Sequence, residues 1–328
     1  MKKQSKRKTT SFKSSILLLL LMAVLLISST YAWFTANETV TVSSIQVNVQ
    51  ASNGLQISTD GTTWKALISN ADLTTNIATT YAGNTNQVPA ELAPVSTAGG
   101  VTDGKLDMYY GTVSTNAGGD YILTSTKQTD TKGTTGYYIV FDLFLRVETD
   151  TPIYLTPTSQ VKYLDGATDV GLQNAARIAF IKEGVGAASD SAATLQALNE
   201  GTTADIWEPN YDTHTGAGVQ NAKNTYNITT TETGGSVLQY NGIQAEFSAS
   251  DNVLIRQLTT PDALKFGAVT PTYTTKNGFD ANVAFTTLAK GVTKYRVYMW
   301  IEGQDVDCEN GASGTDIQFN LQFTQNNG

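Results

Sequence analysis

The chain has 328 residues, 40% of them hydrophobic and 15% charged, a composition typical of a folded protein rather than a disordered one. It has a formal net charge of −8, a single cysteine and a single histidine. This composition excludes an intramolecular disulfide and an H-E-x-x-H zinc site, and the acidic balance argues against a nucleic-acid partner.

The first 32 residues have the features of a secretory leader. Six basic residues precede the 12-residue apolar run Ile16–Ile27, and the small residue Ala32 stands at the predicted cleavage site. As a helix this run would be about 18 Å long, whereas a bilayer core is about 30 Å thick. We therefore predict a signal helix over residues 1–32 that is cleaved after Ala32. Because apolar residues continue through Trp33 and Phe34, an uncleaved membrane anchor is the alternative.

Removal of this leader takes away positive charge only. Residues 33–328 keep 15 Lys and Arg against 29 Asp and Glu, which is a formal charge of −14. Such a length can bury a substantial core, and we predict a single elaborated domain over 33–328. We expect an exported protein that contacts a membrane only through an uncleaved leader and does not bind nucleic acid.

The residues around the cleavage site resemble those of a known family. The basic start, the short apolar stretch and the segment 30–35 (TYAWFT) are similar to the export signal of the TasA/camelysin group of Gram-positive secreted proteins. A SipW-type signal peptidase matures these proteins, so the resemblance implies a cleavage site formed by Thr30, Ala32 and Trp33. It also implies a secreted subunit of the biofilm matrix or cell surface. The camelysin branch is associated with metallopeptidase activity, but a single histidine and no H-E-x-x-H motif predict that this chain is not an enzyme. The segment 298–308 (YMWIEGQDVDC) is similar to one in clostridial proteins with this leader.

The first segment after the leader alternates as a strand does. In residues 39–49 (TVTVSSIQVNV) the two-residue period changes parity at Ser43-Ser44, which predicts a β-bulge. We predict that residues 33–49 form a donor strand that enters the next copy and builds a head-to-tail homopolymer. Pairing of this strand within its own sandwich is the alternative. The side chains predicted to enter the neighbour are Trp33, Phe34, Val40 and Val42.

The remaining elements indicate a β-rich fold. Residues 137–147 (YYIVFDLFLRV) are predicted to form a central strand with both faces covered, and 175–181 (AARIAFI) a second strand. Residues 190–198 are the best helix candidate, capped by Asp190 or Ser191. Few helices and many short strands with long loops predict an all-β fold, a jelly-roll-like antiparallel β-sandwich with one short helix.

The C-terminal region predicts two more strands. Residues 294–302 and 317–323 both alternate, and we expect them to pair as an antiparallel hairpin with a long acidic loop. Carboxylates in that loop are of the type that binds Ca²⁺, although their spacing departs from an EF-hand, and a solvated loop is the alternative. No other cofactor is predicted. The candidate calcium ligands are Glu302, Asp305, Asp307 and Glu309.

Four further residues carry separate hypotheses. Trp207 and Tyr211 could stack on sugar rings, which would suit a membrane-tethered adhesin or a carbohydrate-binding module, although Trp207 is also suited to anchor a loop on the sandwich. His214 lies in a polar stretch, where we expect a solvated side chain. Cys308 is expected to be a small buried residue.

Overall fold

The computed structural model describes residues 39–49, 54–166, 168–255, 262–272, 284–309 and 315–325. The predicted leader, its cleavage site at Thr30, Ala32 and Trp33, and the predicted donor residues Trp33 and Phe34 lie outside the described residues. Across the described ranges, no helix is long and apolar enough to cross a membrane.

The described residues form twenty strands and three short α-helices. In chain order the strands are β1 (Val40–Val49), β2 (Gln56–Ser58), β3 (Leu67–Ile68), β4 (Glu91–Leu92), β5 (Val95–Ser96), β6 (Val101–Thr102), β7 (Lys105–Leu106), β8 (Met108–Thr115), β9 (Tyr121–Gln128), β10 (Ile139–Val147), β11 (Thr151–Leu155), β12 (Gln160–Tyr163), β13 (Ala176–Gly186), β14 (Ala204–Trp207), β15 (Tyr240–Ile243), β16 (Val253–Leu254), β17 (Phe266–Val269), β18 (Thr286–Leu288), β19 (Gly291–Ile301) and β20 (Asp316–Thr324). The helices are α1 (Asn70–Leu73), α2 (Ala192–Gln196) and α3 (Gly216–Tyr226).

Two large sheets pack face to face. The first has the strand order β18-β11-β20-β1-β3, with β12 also on β20 and β4 also on β1, and the second has the order β14-β13-β19-β10-β2. Their facing side chains form one buried apolar cluster, in which Phe319 of the first sheet and Val297 of the second are fully buried. The predicted all-β character is therefore confirmed, and the two sheets form a sandwich.

A third layer covers the outer face of the second sheet. It includes a four-stranded sheet of order β16-β9-β8-β5 and the pairs β15-β17 and β6-β7. Met108 and Tyr240 of this layer pack with Tyr298 and Trp300 of β19 in a second apolar cluster. Every residue of β19 is consequently buried, and so is every residue of β10 except Arg146, which is partly buried.

Several predicted elements appear where the sequence placed them. The predicted apolar strand is β10, and both of its faces are covered as expected, although the middle position of the sheet belongs to its neighbour β19. The second predicted strand is β13. The predicted helix is α2, and Ser191 caps it by accepting a hydrogen bond from the backbone N–H of Thr194. Helix α3 was not predicted, because its sequence GAGVQNAKNTY is polar and has two glycines in its first turn.

The predicted C-terminal hairpin is wrong. β19 lies at the centre of the second sheet, and β20 lies in the first sheet between β1 and the strands β11 and β12. The physical reason is burial: β19 is apolar enough to be covered on both faces, whereas β20 alternates and keeps its polar side chains on the outer face of the sandwich. The connection between them therefore crosses from one sheet to the other.

The N-terminal strand pairs within its own chain. β1 runs parallel to β20, and the register shifts between Val42 and Ser44, which confirms the predicted bulge. Val40 and Val42, predicted to enter a neighbouring molecule, are buried in the apolar core of the same chain. In the single chain, β1 therefore pairs within its own sandwich, which was the alternative prediction. Its own sheet offers the hydrogen bonds and apolar contacts that a neighbour would supply.

Candidate functional site

β1 occupies a slot between strands that come from distant parts of the chain. It makes eight register pairs with β20, and only two pairs each with β3 and with β4. Its inward side chains are Val40, Val42, Ile45, Val47 and Val49, all of which belong to the main apolar cluster. The strand is therefore held mainly by one ladder to β20 and by the burial of alternate side chains.

The acidic loop after β19 is buried. Glu302 and Asp307 have no exposed surface, and Asp305 and Glu309 are less than a tenth exposed. The alternative of a solvated loop is therefore wrong, and the calcium site stays a prediction. Across the described ranges, no three His, Cys, Asp or Glu side chains come together in a group that could hold a metal ion.

Donors of the protein itself engage these four carboxylates. Glu302 accepts hydrogen bonds from Trp300 Nε1 and from the backbone N–H of Gln304, each at 3.0 Å. Glu309 accepts a hydrogen bond from the hydroxyl of Thr215 at 3.2 Å. Burial raises the pKa of Glu302 and that of Glu309 to about 7. The sequence suggested solvated carboxylates, but the third layer and α3 cover them.

His214 pairs with one of these carboxylates. Its Nδ1 lies 2.8 Å from Oδ2 of Asp307, and the backbone N–H of Thr215 donates to Oδ1 of the same carboxylate at 2.7 Å. Burial by itself lowers the pKa of His214, but Asp307 more than offsets this, so that the pKa is raised overall. The expectation of a solvated histidine is therefore wrong, because α3 packs this polar stretch against the loop.

Arg177 completes the cluster on the strand side. This fully buried side chain projects from β13 and forms ion pairs with Asp305 and with Glu208, the latter at 2.9 Å. Its Nη1 also donates to the backbone carbonyls of Asn174 and Ala176. Burial raises the pKa of Glu208 to about 7 even beside this cation. One guanidinium thus balances two buried carboxylates at the junction of β13, β14 and the loop.

Trp207 and Tyr211 do not form a sugar-stacking pair. Trp207 ends β14 and is fully buried in the main apolar cluster, so its ring has no face open to a ligand. Tyr211 is partly exposed. This arrangement corrects the carbohydrate-site hypothesis and supports the alternative, a packing role for Trp207. Cys308 is fully buried as expected, and burial raises the pKa of its thiol.

A second buried polar cluster lies on the outer face of the second sheet. Asp142 on β10 accepts a hydrogen bond from Nε of Arg296 at 3.0 Å and from the hydroxyl of Tyr81 at 2.7 Å. Nζ of Lys294 lies 3.2 Å from Oδ2 of the same carboxylate. This cluster was not predicted, although charged residues inside the apolar strands β10 and β19 indicate buried ion pairs.

Comparison of the chain with protein-family models, with curated proteins and with solved structures finds no match.

Proposed function

We propose that the chain is a secreted structural subunit of an extracellular fibre or surface layer, and that copies assemble head to tail by exchanging β1. The observation that supports this is the position of β1: it is the first described element, it lacks proline, and its main partner β20 is at the other end of the chain. A protein of this kind acts by assembling and has no catalytic role. We further propose that the sandwich has a jelly-roll topology and that the protein is exported in the manner of the TasA/camelysin group.

The connectivity of β1 suits exchange. A strand joined to its partner by a tight turn cannot leave without breaking that turn, but β1 and β20 run parallel and share no turn. For β1 to fill the slot of a second copy, the residues between β1 and β2 have to span the distance from that slot to β2 of their own chain. Its hydrogen bonds to β20 and its buried valines would then be the same in the neighbour as in the chain itself.

The slot cannot remain empty. Burial of one Val or Ile side chain is worth about 1.5–3 kcal/mol, and β1 buries five such residues. A copy that releases its strand must therefore take up the strand of another copy. When each copy gives its strand to one neighbour and receives the strand of another, the contact is head to tail, does not close on itself and produces a filament. Removal of the leader after Ala32 would free the strand and thereby start assembly.

A cysteine pair across the two strands tests the exchange. Gln46 and Asn320 lie opposite each other on the outer face, with Gln46 exposed and Asn320 partly buried. Neighbouring strands are about 4.8 Å apart, a distance that a disulfide can bridge. We expect the variant Gln46→Cys/Asn320→Cys of the form starting at Trp33 to stay monomeric if it is oxidised before assembly. Oxidation after assembly should instead join copies into a ladder on non-reducing gels.

A second cysteine pair provides the matched control. Thr112 and Thr124 lie opposite each other on β8 and β9, two strands that do not exchange in this proposal. Thr112→Cys/Thr124→Cys should form its disulfide within one chain, before and after assembly. Filaments in which every engineered disulfide between β1 and β20 lies within a single chain would refute exchange. A form starting at Trp33 that stays monomeric at every concentration would refute the structural role itself.

A further inference from the structure

Lys294 on β19 is buried, with 2% of its surface exposed. Lysines are almost never buried to this degree unless they are paired. Its partner is Asp142 on the adjacent strand β10, and Nζ lies 3.2 Å from Oδ2 between side chains that are 2% and 1% exposed. In the register Asp142 is opposite Arg296, so Lys294 is its diagonal neighbour on the same face. A nitrogen and a carboxyl group are thus held together away from water.

The hydrogen bonds of Lys294 orient its nitrogen. Two of its protons are directed to the backbone carbonyls of Gln196 and Leu198, at 2.8 and 2.9 Å. The third faces the hydroxyl of Tyr81 at 3.2 Å and the carboxylate of Asp142. If that third proton leaves, the two carbonyls still hold the amine and the free electron pair is directed towards Asp142.

Tyr81 offers the route for that proton. Its hydroxyl is within hydrogen-bond distance of Lys294 on one side, and on the other side it donates to Oδ2 of Asp142 at 2.7 Å. Arg296 meanwhile donates from Nε to the other oxygen, Oδ1, at 3.0 Å, and more weakly from Nη2 to Oδ2 at 3.5 Å. The bond to Oδ1 holds and polarises the oxygen that would remain as the carbonyl, whereas Oδ2 receives protons and can leave.

We propose that Lys294 and Asp142 condense into an intramolecular amide cross-link between β19 and β10. The nitrogen of Lys294 attacks Cγ of Asp142, so that an N–C bond forms and the bond from Cγ to Oδ2 breaks. Nζ gives up two protons, both of which end on Oδ2, and the first passes through the hydroxyl of Tyr81. One ammonium and one carboxylate give one amide and one water, and no oxidant or activating co-reactant is needed.

The surrounding charges are balanced before and after this step. Burial tends to raise the pKa of Asp142, but Arg296 and Lys294 lower it overall, so the reaction starts from an ion pair. Condensation removes one positive and one negative charge. Arg296 keeps a second acidic partner, Asp130, at 4.0 Å. Burial raises the pKa of the nearby Glu183. The product thus frees the protein interior of two desolvated charges.

The cross-link would act as a disulfide does in other exported proteins. It would join adjacent strands of the second sheet and close a long loop, which restricts the unfolded chain. The chain has only one cysteine and cannot form an internal disulfide. The proposal concerns the fold of one copy and is independent of whether β1 is exchanged.

Intact mass spectrometry of the wild-type chain is the direct test. The protein is first folded and is then denatured for the measurement. We expect a mass lower than that of the sequence by one water, and a proteolytic fragment in which the peptides containing residues 142 and 294 are joined. Asp142→Asn should lose ammonia instead of water and therefore reach the same final mass as the wild type. Lys294→Met should keep the full mass of its sequence. Tyr81→Phe should form the link more slowly than the wild type when both are folded for the first time from denatured, unlinked chain.

An exposed ion pair serves as the matched control. Lys162 and Asp165 are also 3.2 Å apart, but their side chains are 37% and 89% exposed, so their peptides should remain unlinked in the same digest. A folded wild-type chain with its full, uncondensed mass would overturn the proposal. That measurement needs no variant, so the result stands even if a substituted chain fails to fold. Equal rates in the wild type and Tyr81→Phe would overturn the proton route through Tyr81.

Discussion

Arg177 is the residue whose loss the buried loop should tolerate least. The variant Arg177→Met keeps most of the aliphatic volume but removes the guanidinium that pairs with Glu208 and Asp305, both of which are buried. Removal of one partner from a buried ion pair costs about 3–5 kcal/mol, since the remaining charge has no compensation. We therefore expect the free energy of unfolding at pH 8 to fall by about that amount.

Urea unfolding followed by tryptophan fluorescence measures this loss, because Trp207 and Trp300 are fully buried and report on the core. The loss should depend on pH. The pKa of Glu208 is about 7 in the fold, above its usual value of 4.5. Because this pKa is raised, the protonated Glu208 carboxyl stabilises the fold. This stabilisation is fully present at low pH and is lost as the pH rises through 7. Without Arg177 this pKa rises further, so the gap between variant and wild type should be smaller at pH 5 than at pH 8.

Two further variants test the effect of Arg177→Met on stability. Lys162→Met breaks an exposed pair, which is worth at most about 1 kcal/mol. Replacement of Glu208 by Gln and Asp305 by Asn in the Arg177→Met background should recover part of the stability, because the two unbalanced charges are gone. A loss for Arg177→Met no larger than that for Lys162→Met, or one that does not change with pH, would contradict the account of the cluster.

Three further predictions follow from burial. Trp207→Ala should lower the free energy of unfolding by about 3–5 kcal/mol, as expected for a large side chain in a core, and thermal denaturation should show it. Glu302→Gln should make the free energy of unfolding fall less between pH 5 and pH 8. Burial raises the pKa of Glu302 to about 7, so in the wild type the stabilisation by its protonated form is lost as the pH rises through that value. The same pH dependence of urea unfolding in variant and wild type would count against this. Gly242→Ala should destabilise the third layer, since a Cβ there would lie 1.9 Å from the backbone oxygen of Thr97, whereas Gly83→Ala, with open space around it, should leave the melting temperature nearly unchanged.

Local sequence patterns predicted individual strands well. The alternation in β1 and its change of parity correspond to a strand with a bulge, and the apolar run 137–147 corresponds to a strand buried on both faces. The cap at Ser191 could also be predicted, because capping depends on residues only a few positions apart. The two-residue period and the helix cap are short-range features, so the sequence contains them directly.

The partners of those elements could not be predicted in the same way. β20 alternates as expected, but nothing in its sequence indicates that it pairs with β1 instead of β19. The loop 302–309 shows the same limit: its carboxylates suggest solvent, and only Arg177 and His214, which lie far away in the sequence, make their burial possible. A charge tolerates burial when it meets an opposite charge or a hydrogen-bond donor.

By itself, the sequence determined the β-rich class, the periodicity of the main strands, the acidic net charge and the burial of Cys308. The tertiary structure decided which sheet each strand joins, that β1 fills its own slot in the single chain, and that Lys294, Arg296 and Asp142 meet beneath Tyr81. The physical reason is range: period and capping depend on neighbouring residues, whereas strand order and buried ion pairs depend on contacts between residues that are distant in the sequence and that only packing brings together.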